Sequence, residues 1–146
     1  MKTDPSGNAA TNSTRRSNKA RSVMGTRILI VEDENNSRAA MSDFLTACGF
    51  EVATASSGRR ALEIGKRFSP HILICDWMLG GDRDGVSVAR KLSESLPELA
   101  VVFVTGFPVE DLRRESAHLP VHRYLAKPFG LFELNRVIGE ISSRSA

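Results

Sequence analysis

With 146 residues, the chain is long enough to bury about two-thirds of its unfolded surface in one core and too short for two domains of ordinary size. Its formal charge of +3 comes from residues 1–25, where five basic side chains face one acidic; the rest holds fifteen basic against sixteen acidic, so the folded part carries no compositional argument for nucleic acid. No stretch approaches the roughly eighteen apolar residues that span a bilayer, no apolar centre of a secretory signal is present, and Cys48 and Cys75 lack metal-ligand spacing. The expected protein is cytoplasmic, with reduced, buried thiols and no membrane partner.

Residues 1–25 are Ser, Asn, Thr, Ala, Arg and Lys with almost no large apolar side chain, which predicts a disordered basic leader ahead of a domain over 26–146. An upstream extension, with Met24 as an alternative start, is favoured there over an arm that touches an acidic partner. From residue 27 onward, strand-like and helix-like segments alternate, the pattern of an α/β fold with right-handed crossovers. Arg27 to Val31 reads as the first strand. Asn35, Asn36 and Ser37 offer caps for a helix carrying Met41, Phe44, Leu45 and Cys48, which Gly49 terminates. Glu51 to Thr54 is a short second strand. Ser57-Gly58 opens a helix with Ala61, Leu62 and Phe68, weakened at Gly65 by up to about 1 kcal/mol relative to Ala, and Ser69-Pro70 closes it. Ile72-Leu73-Ile74-Cys75 has no helical period and reads as a strand buried on both faces, ending in Asp76. Asp84-Gly85 starts a helix through Val88, Ala89, Leu92 and Leu96. Ala100 to Val104 is the fourth strand, ending in Thr105-Gly106. A short helix from about Val109 to Ala117 leads to a fifth strand, Val121 to Leu125, and Leu131, Leu134, Val137, Ile138 and Ile141 form the apolar stripe of a last helix. His71, His118 and His122 are scattered singly and read as surface or strand-edge residues.

Four predicted strand ends carry distinctive polar groups: Glu32 and Asp33, Asp76, Thr105, and Lys127. In open α/β sheets, ligands collect outside the carboxyl ends of the strands, where the strand order reverses. Three carboxylates gathered there repel one another unless a hard divalent cation with oxygen ligands compensates them, which predicts Mg²⁺.

These residues stand in the motifs Ile28-Leu29-Ile30-Val31-Glu32-Asp33-Glu34, Ile74-Cys75-Asp76-Trp77-Met78, Asp84-Gly85, Val104-Thr105-Gly106 and Tyr124-Leu125-Ala126-Lys127-Pro128-Phe129. Over roughly residues 26–144 the chain resembles the receiver domain of two-component response regulators. The resemblance implies a (βα)5 flavodoxin-like doubly wound sandwich with a five-stranded parallel sheet in the order 2-1-3-4-5. It implies that Asp76 is the phosphoacceptor and that Asp33, Asp76 and the Met78 carbonyl ligate Mg²⁺, with Glu32 helping through water. Thr105 and Lys127 would contact the phosphoryl oxygens, Lys127-Pro128 would be a cis peptide, and Thr105 and Tyr124 would form the switch. The loop Leu79-Gly80-Gly81-Asp82-Arg83-Asp84 departs from the family in having glycines where a proline is common.

The expected function is that of a single-domain phosphorelay receiver that catalyses only its own phosphorylation and dephosphorylation. A histidine kinase or histidine phosphotransfer protein would be its donor. Only Ser142 to Ala146 follow the predicted last helix, so the expected output is a protein contact through the fourth helix, fifth strand and fifth helix, without nucleic acid. Phe132, on the far side of the last helix from its apolar stripe, is a candidate for that surface, beside Tyr124 and the fourth helix. A phosphorylation-independent interaction module is the alternative, and the reading leaves open a role as relay intermediate. An FMN carrier fails on the first loop, where Glu32-Asp33-Glu34 would repel a phosphate.

Overall fold

The computed structural model describes residues 25–81 and 84–145, with the side chain of Ser145 excepted. The predicted leader thus lies outside the described residues, apart from its last, Gly25. Ten elements alternate in chain order: β1 (Arg27–Val31), α1 (Asn35–Ala47), β2 (Glu51–Ala55), α2 (Gly58–Phe68), β3 (Ile72–Asp76), α3 (Gly85–Ser95), β4 (Ala100–Thr105), α4 (Val109–Glu115), β5 (Val121–Ala126) and α5 (Leu131–Ser145). The five strands form one parallel sheet in the order β2-β1-β3-β4-β5, as the resemblance implied.

Apolar residues on both faces of the central strands explain the layers. Leu29, Val31, Leu73, Cys75, Val101 and Phe103 point to one side, where Ala61 of α2, Val88 and Leu92 of α3, and Leu112 of α4 cover them. Ile28, Ile30, Ile72, Ile74, Val102 and Val104 point to the other, against Met41 and Leu45 of α1 and Leu134, Val137, Ile138 and Ile141 of α5. Since side chains alternate along a strand, a slip of one residue would exchange these two sets and their partners. Each fully buried aliphatic side chain adds about 1.5–3 kcal/mol of burial free energy, so the register Leu29 to Leu73 to Val101 is strongly specified.

Local signals act mostly as read. Ser57 caps α2 by accepting the Arg60 amide, Ser69 ends it in the left-handed region at φ 49°, and Gly49 follows α1 at φ 101°. Three readings change. The cap of α1 is Glu34, whose carboxylate accepts from the Asn36 and Ser37 amides; a longer acid reaches back where Asn35, Asn36 and Ser37 already lie inside the helix. Cys48 is only partly buried, because it sits at the helix end, while Cys75 is fully buried. Gly65 is more than a weak point of α2: a Cβ there would come within 2.5 Å of Leu92 Cδ2, so its absence lets α2 approach α3.

Candidate functional site

Parallel strands all present their carboxyl ends at one edge of the sheet. β1 therefore delivers Glu32 and Asp33, β3 delivers Asp76, β4 delivers Thr105 and β5 delivers Lys127 to a common edge. One carboxylate oxygen from each of Glu32, Asp33 and Asp76 lies within 4.8 Å of the other two. Lys127, 95 residues from Glu32 in the chain, reaches across with Nζ 2.7 Å from Glu32 Oε1 and 2.8 Å from Asp76 Oδ2. The sequence brought these four together, and the structure does so as well.

Burial and the neighbouring charges act on these groups together. Glu32 is buried at the floor of the site and Asp76 nearly so. Desolvation pushes the Glu32 carboxyl above its ordinary value of 4.5; the Asp76 charge adds to this, while hydrogen bonds from Lys127 and the Glu34 amide oppose it. Burial also pulls at the Lys127 ammonium, but its bonds and charges with Asp76 and Glu32 outweigh that and raise it above 10.5. Three carboxylates and one ammonium leave an excess of negative charge of the size that one divalent cation supplies. The donors are all oxygens, the set that hard divalent cations such as Mg²⁺ or Ca²⁺ take, so these residues fit an ion of that class.

Other expected members are placed differently. The Met78 amide donates to Asp76 Oδ1 at 3.3 Å, which pins the Asp76 carboxylate from the chain beyond β3. Thr105 Oγ1 faces its own loop and accepts the Phe107 amide at 2.9 Å, a hydroxyl turn leading into α4. Tyr124 packs on the α2–α4 side of the sheet, stacked on Phe103 with ring centroids 6.0 Å apart and with the Arg113 guanidinium 4.6 Å above it. Phe132 is exposed as expected but not beside Tyr124. Its ring meets Phe44 of α1 edge-on at 5.7 Å, because the start of α5 lies over α1 on the other side of the sheet.

Several contributors escaped the sequence reading. Arg38 Nη1 donates to the Glu32 carbonyl at 2.9 Å, tying α1 to the end of β1. Gly85 lies so close to the end of β3 that a Cβ would sit 2.1 Å from the Asp76 carbonyl oxygen, and its amide donates to the Trp77 carbonyl at 2.7 Å. The one legible signal was the pair Asp84-Gly85, where Asp84 caps α3 by accepting the Ser87 amide and Gly85 allows close approach. The Lys127-Pro128 bond is cis.

With this geometry in view, the sequence model of the response regulator receiver domain matches residues 28–139. The chain belongs to that family. Among similar proteins, the response regulator receiver protein CpdR of Brucella abortus is 32% identical over 108 residues, covering 74% of this chain and 89% of that protein. The regulatory protein AtoC of Escherichia coli is 30% identical over 112 residues, which are 77% of this chain and 24% of AtoC. This receiver thus corresponds to nearly all of one relative and to about a quarter of another. A receiver domain from Clostridium thermocellum, solved as a crystal structure, is 26% identical with a TM-score of 0.75, covering 82% of this chain and 96% of that one. Among the described residues of this receiver, no helix is long and apolar enough to cross a membrane.

Proposed function

We propose that this receiver accepts a phosphoryl group on Asp76 from a phosphohistidine of a histidine kinase or phosphotransfer protein, and passes the signal on by protein contact. The observation that carries the reading is the convergence of Lys127 with Glu32 and Asp76 at the carboxyl end of the central strand, with Asp33 alongside. Phosphoryl transfer asks a protein mainly for an in-line nucleophile and for positive charge on the equatorial oxygens. An Asp76 oxygen attacks phosphorus, the new O–P bond forms as the donor's P–N bond breaks, and the imidazole nitrogen leaves with the electron pair. Asp33, Asp76 and the Met78 carbonyl, with Glu32 helping, would hold Mg²⁺, which would supply positive charge to the phosphoryl oxygens. Lys127 is within reach to shift from the carboxylates to one of those oxygens, and the Thr105 hydroxyl leaves the Phe107 amide to donate to another.

The product is an acyl phosphate, which water on the open side hydrolyses, so the domain acts as a timed switch rather than as an enzyme on a separate substrate. The output surface in this reading is α4, β5 and α5, and the work is done in the cytoplasm. Incubation with Mg²⁺ and a small acyl-phosphate donor tests it. The parent gains the mass of one phosphoryl group and Asp76→Asn gains none; labelling of Asp76→Asn, or no labelling of the parent, overturns the assignment and favours a phosphorylation-independent interaction module.

A further inference from the structure

The three carboxylates are held very unequally. Glu32 is buried under Lys127 and the Glu34 amide, and Asp76 is held by Lys127 and the Met78 amide. Asp33 is exposed, one residue beyond Glu32 at the end of β1, and Lys127 does not reach it. What it accepts is the amide of Gly80, at 3.2 Å from Oδ2, across 47 residues of sequence. This bond ties the loop after β1 to the loop after β3.

We propose that Gly80 is a positioning residue for the cation site: its amide fixes the Asp33 carboxylate in the direction of Glu32 and Asp76, so that this ligand is aimed before the cation arrives. The inference rests on the function proposed above. An exposed carboxylate otherwise samples several rotamers, and gathering it beside two like charges is unfavourable. A single N–H on Oδ2 opposes both effects, and it leaves Oδ1 and the remaining lone pairs for the cation. Partners that orient a metal ligand from behind in this way are worth 10–100-fold in affinity.

The requirement is for an N–H and not for glycine as such. Gly80 is not among the positive-φ glycines of the described residues, which are Gly49 and Gly81. A Cβ on it would meet Asp33 Oδ2 at 3.5 Å, an ordinary contact. Proline has no amide hydrogen to give.

The experiment titrates Mg²⁺ into the full chain and follows Trp77, the single tryptophan, by fluorescence, with calorimetry as a second readout. Gly80→Ala keeps the N–H and should bind within about twofold of the parent. Gly80→Pro deletes it and should weaken binding by about tenfold or more. Equal affinity of Gly80→Pro and the parent overturns the positioning role while leaving the phosphoacceptor reading intact; a parent that binds no Mg²⁺ sinks both. Should Gly80→Pro lose its fold by circular dichroism, amide exchange decides: Asp33→Ala should speed exchange at Gly80 severalfold in the metal-free chain, and unchanged exchange rejects the bond.

Discussion

The hydroxyl of Tyr124 lies 2.7 Å from Oγ of Ser116, a residue at the end of α4 with no exposed surface. Ser116 Oγ also donates to the Leu112 carbonyl at 2.7 Å, which uses its one hydrogen, so Tyr124 is the donor in the pair. Together with Arg113 above its ring, this fastens β5 to α4 at the helix's carboxyl end, while Thr105 at the end of β4 bonds within the turn that precedes α4.

Ser116→Ala should release the ring without touching the acceptor site. Leaving the partly buried hydroxyl without this partner costs about 1–2 kcal/mol. Tyr124 is the only tyrosine, so its ring resonances report directly. They should move and broaden in Ser116→Ala with phosphorylation of Asp76 unchanged, and ring signals identical to the parent's would show that Ser116 does not hold Tyr124.

Glycine positions give a paired test. Gly85→Ala places a methyl 2.1 Å from the Asp76 carbonyl oxygen, where backbone must shift, and should cost roughly 3 kcal/mol. Gly139 in α5 has nothing within 4 Å of such a methyl, and Gly139→Ala should raise stability by up to about 1 kcal/mol. Urea midpoints of the two variants, moving in opposite directions, check the geometry; parallel shifts would contradict it.

The strands were legible because burial on both faces leaves an unbroken apolar run, and the site was legible because parallel strands put their last residues at one edge. What failed or stayed hidden depends on distance through space. Phe132 was assigned to the right exposure but to the wrong neighbours, since helical spacing tells which side of α5 it occupies and not which helix lies there. Thr105 and Tyr124 were named, yet Phe107 and Ser116 were not, because a hydroxyl's partner is set by the turn that brings it. Gly85 and Gly65 looked like a helix start and a weak point, and only the atoms beside them give their reason.

His71 carries a pH dependence. Its Nδ1 accepts the Arg27 amide at 2.9 Å, and burial with the nearby Arg27 charge holds the imidazole below 6.5, against a smaller pull from Glu51. A histidine with a lowered folded pKa contributes stability that is complete above the unfolded value and lost as pH falls through the folded one. Melting temperature should therefore drop as pH falls below about 6.5, less steeply in His71→Gln. His122 is lowered too, so the slope should shrink rather than vanish. Equal slopes would remove His71 from the account.

Lys127 should stabilise the metal-free protein through its charge. It is the cation on Glu32 and Asp76, whose side chains are 1% and 9% exposed, and Lys127→Met leaves two buried carboxylates facing each other. Removing one partner of a buried pair costs about 3–5 kcal/mol; with Lys127 itself 28% exposed, and with Glu32 able to take up a proton, the lower end applies. A Mg²⁺ ion bound at these carboxylates would supply the missing charge from outside the chain. Added metal should therefore raise the melting temperature of Lys127→Met by more than that of the parent, where the ammonium competes for the same oxygens. The comparison needs four melts, each protein with chelator and with Mg²⁺. An equal gain in both would mean that the ammonium and the cation do not share the carboxylates, and a variant as stable as the parent in chelator would mean that Glu32 and Asp76 were never held by charge.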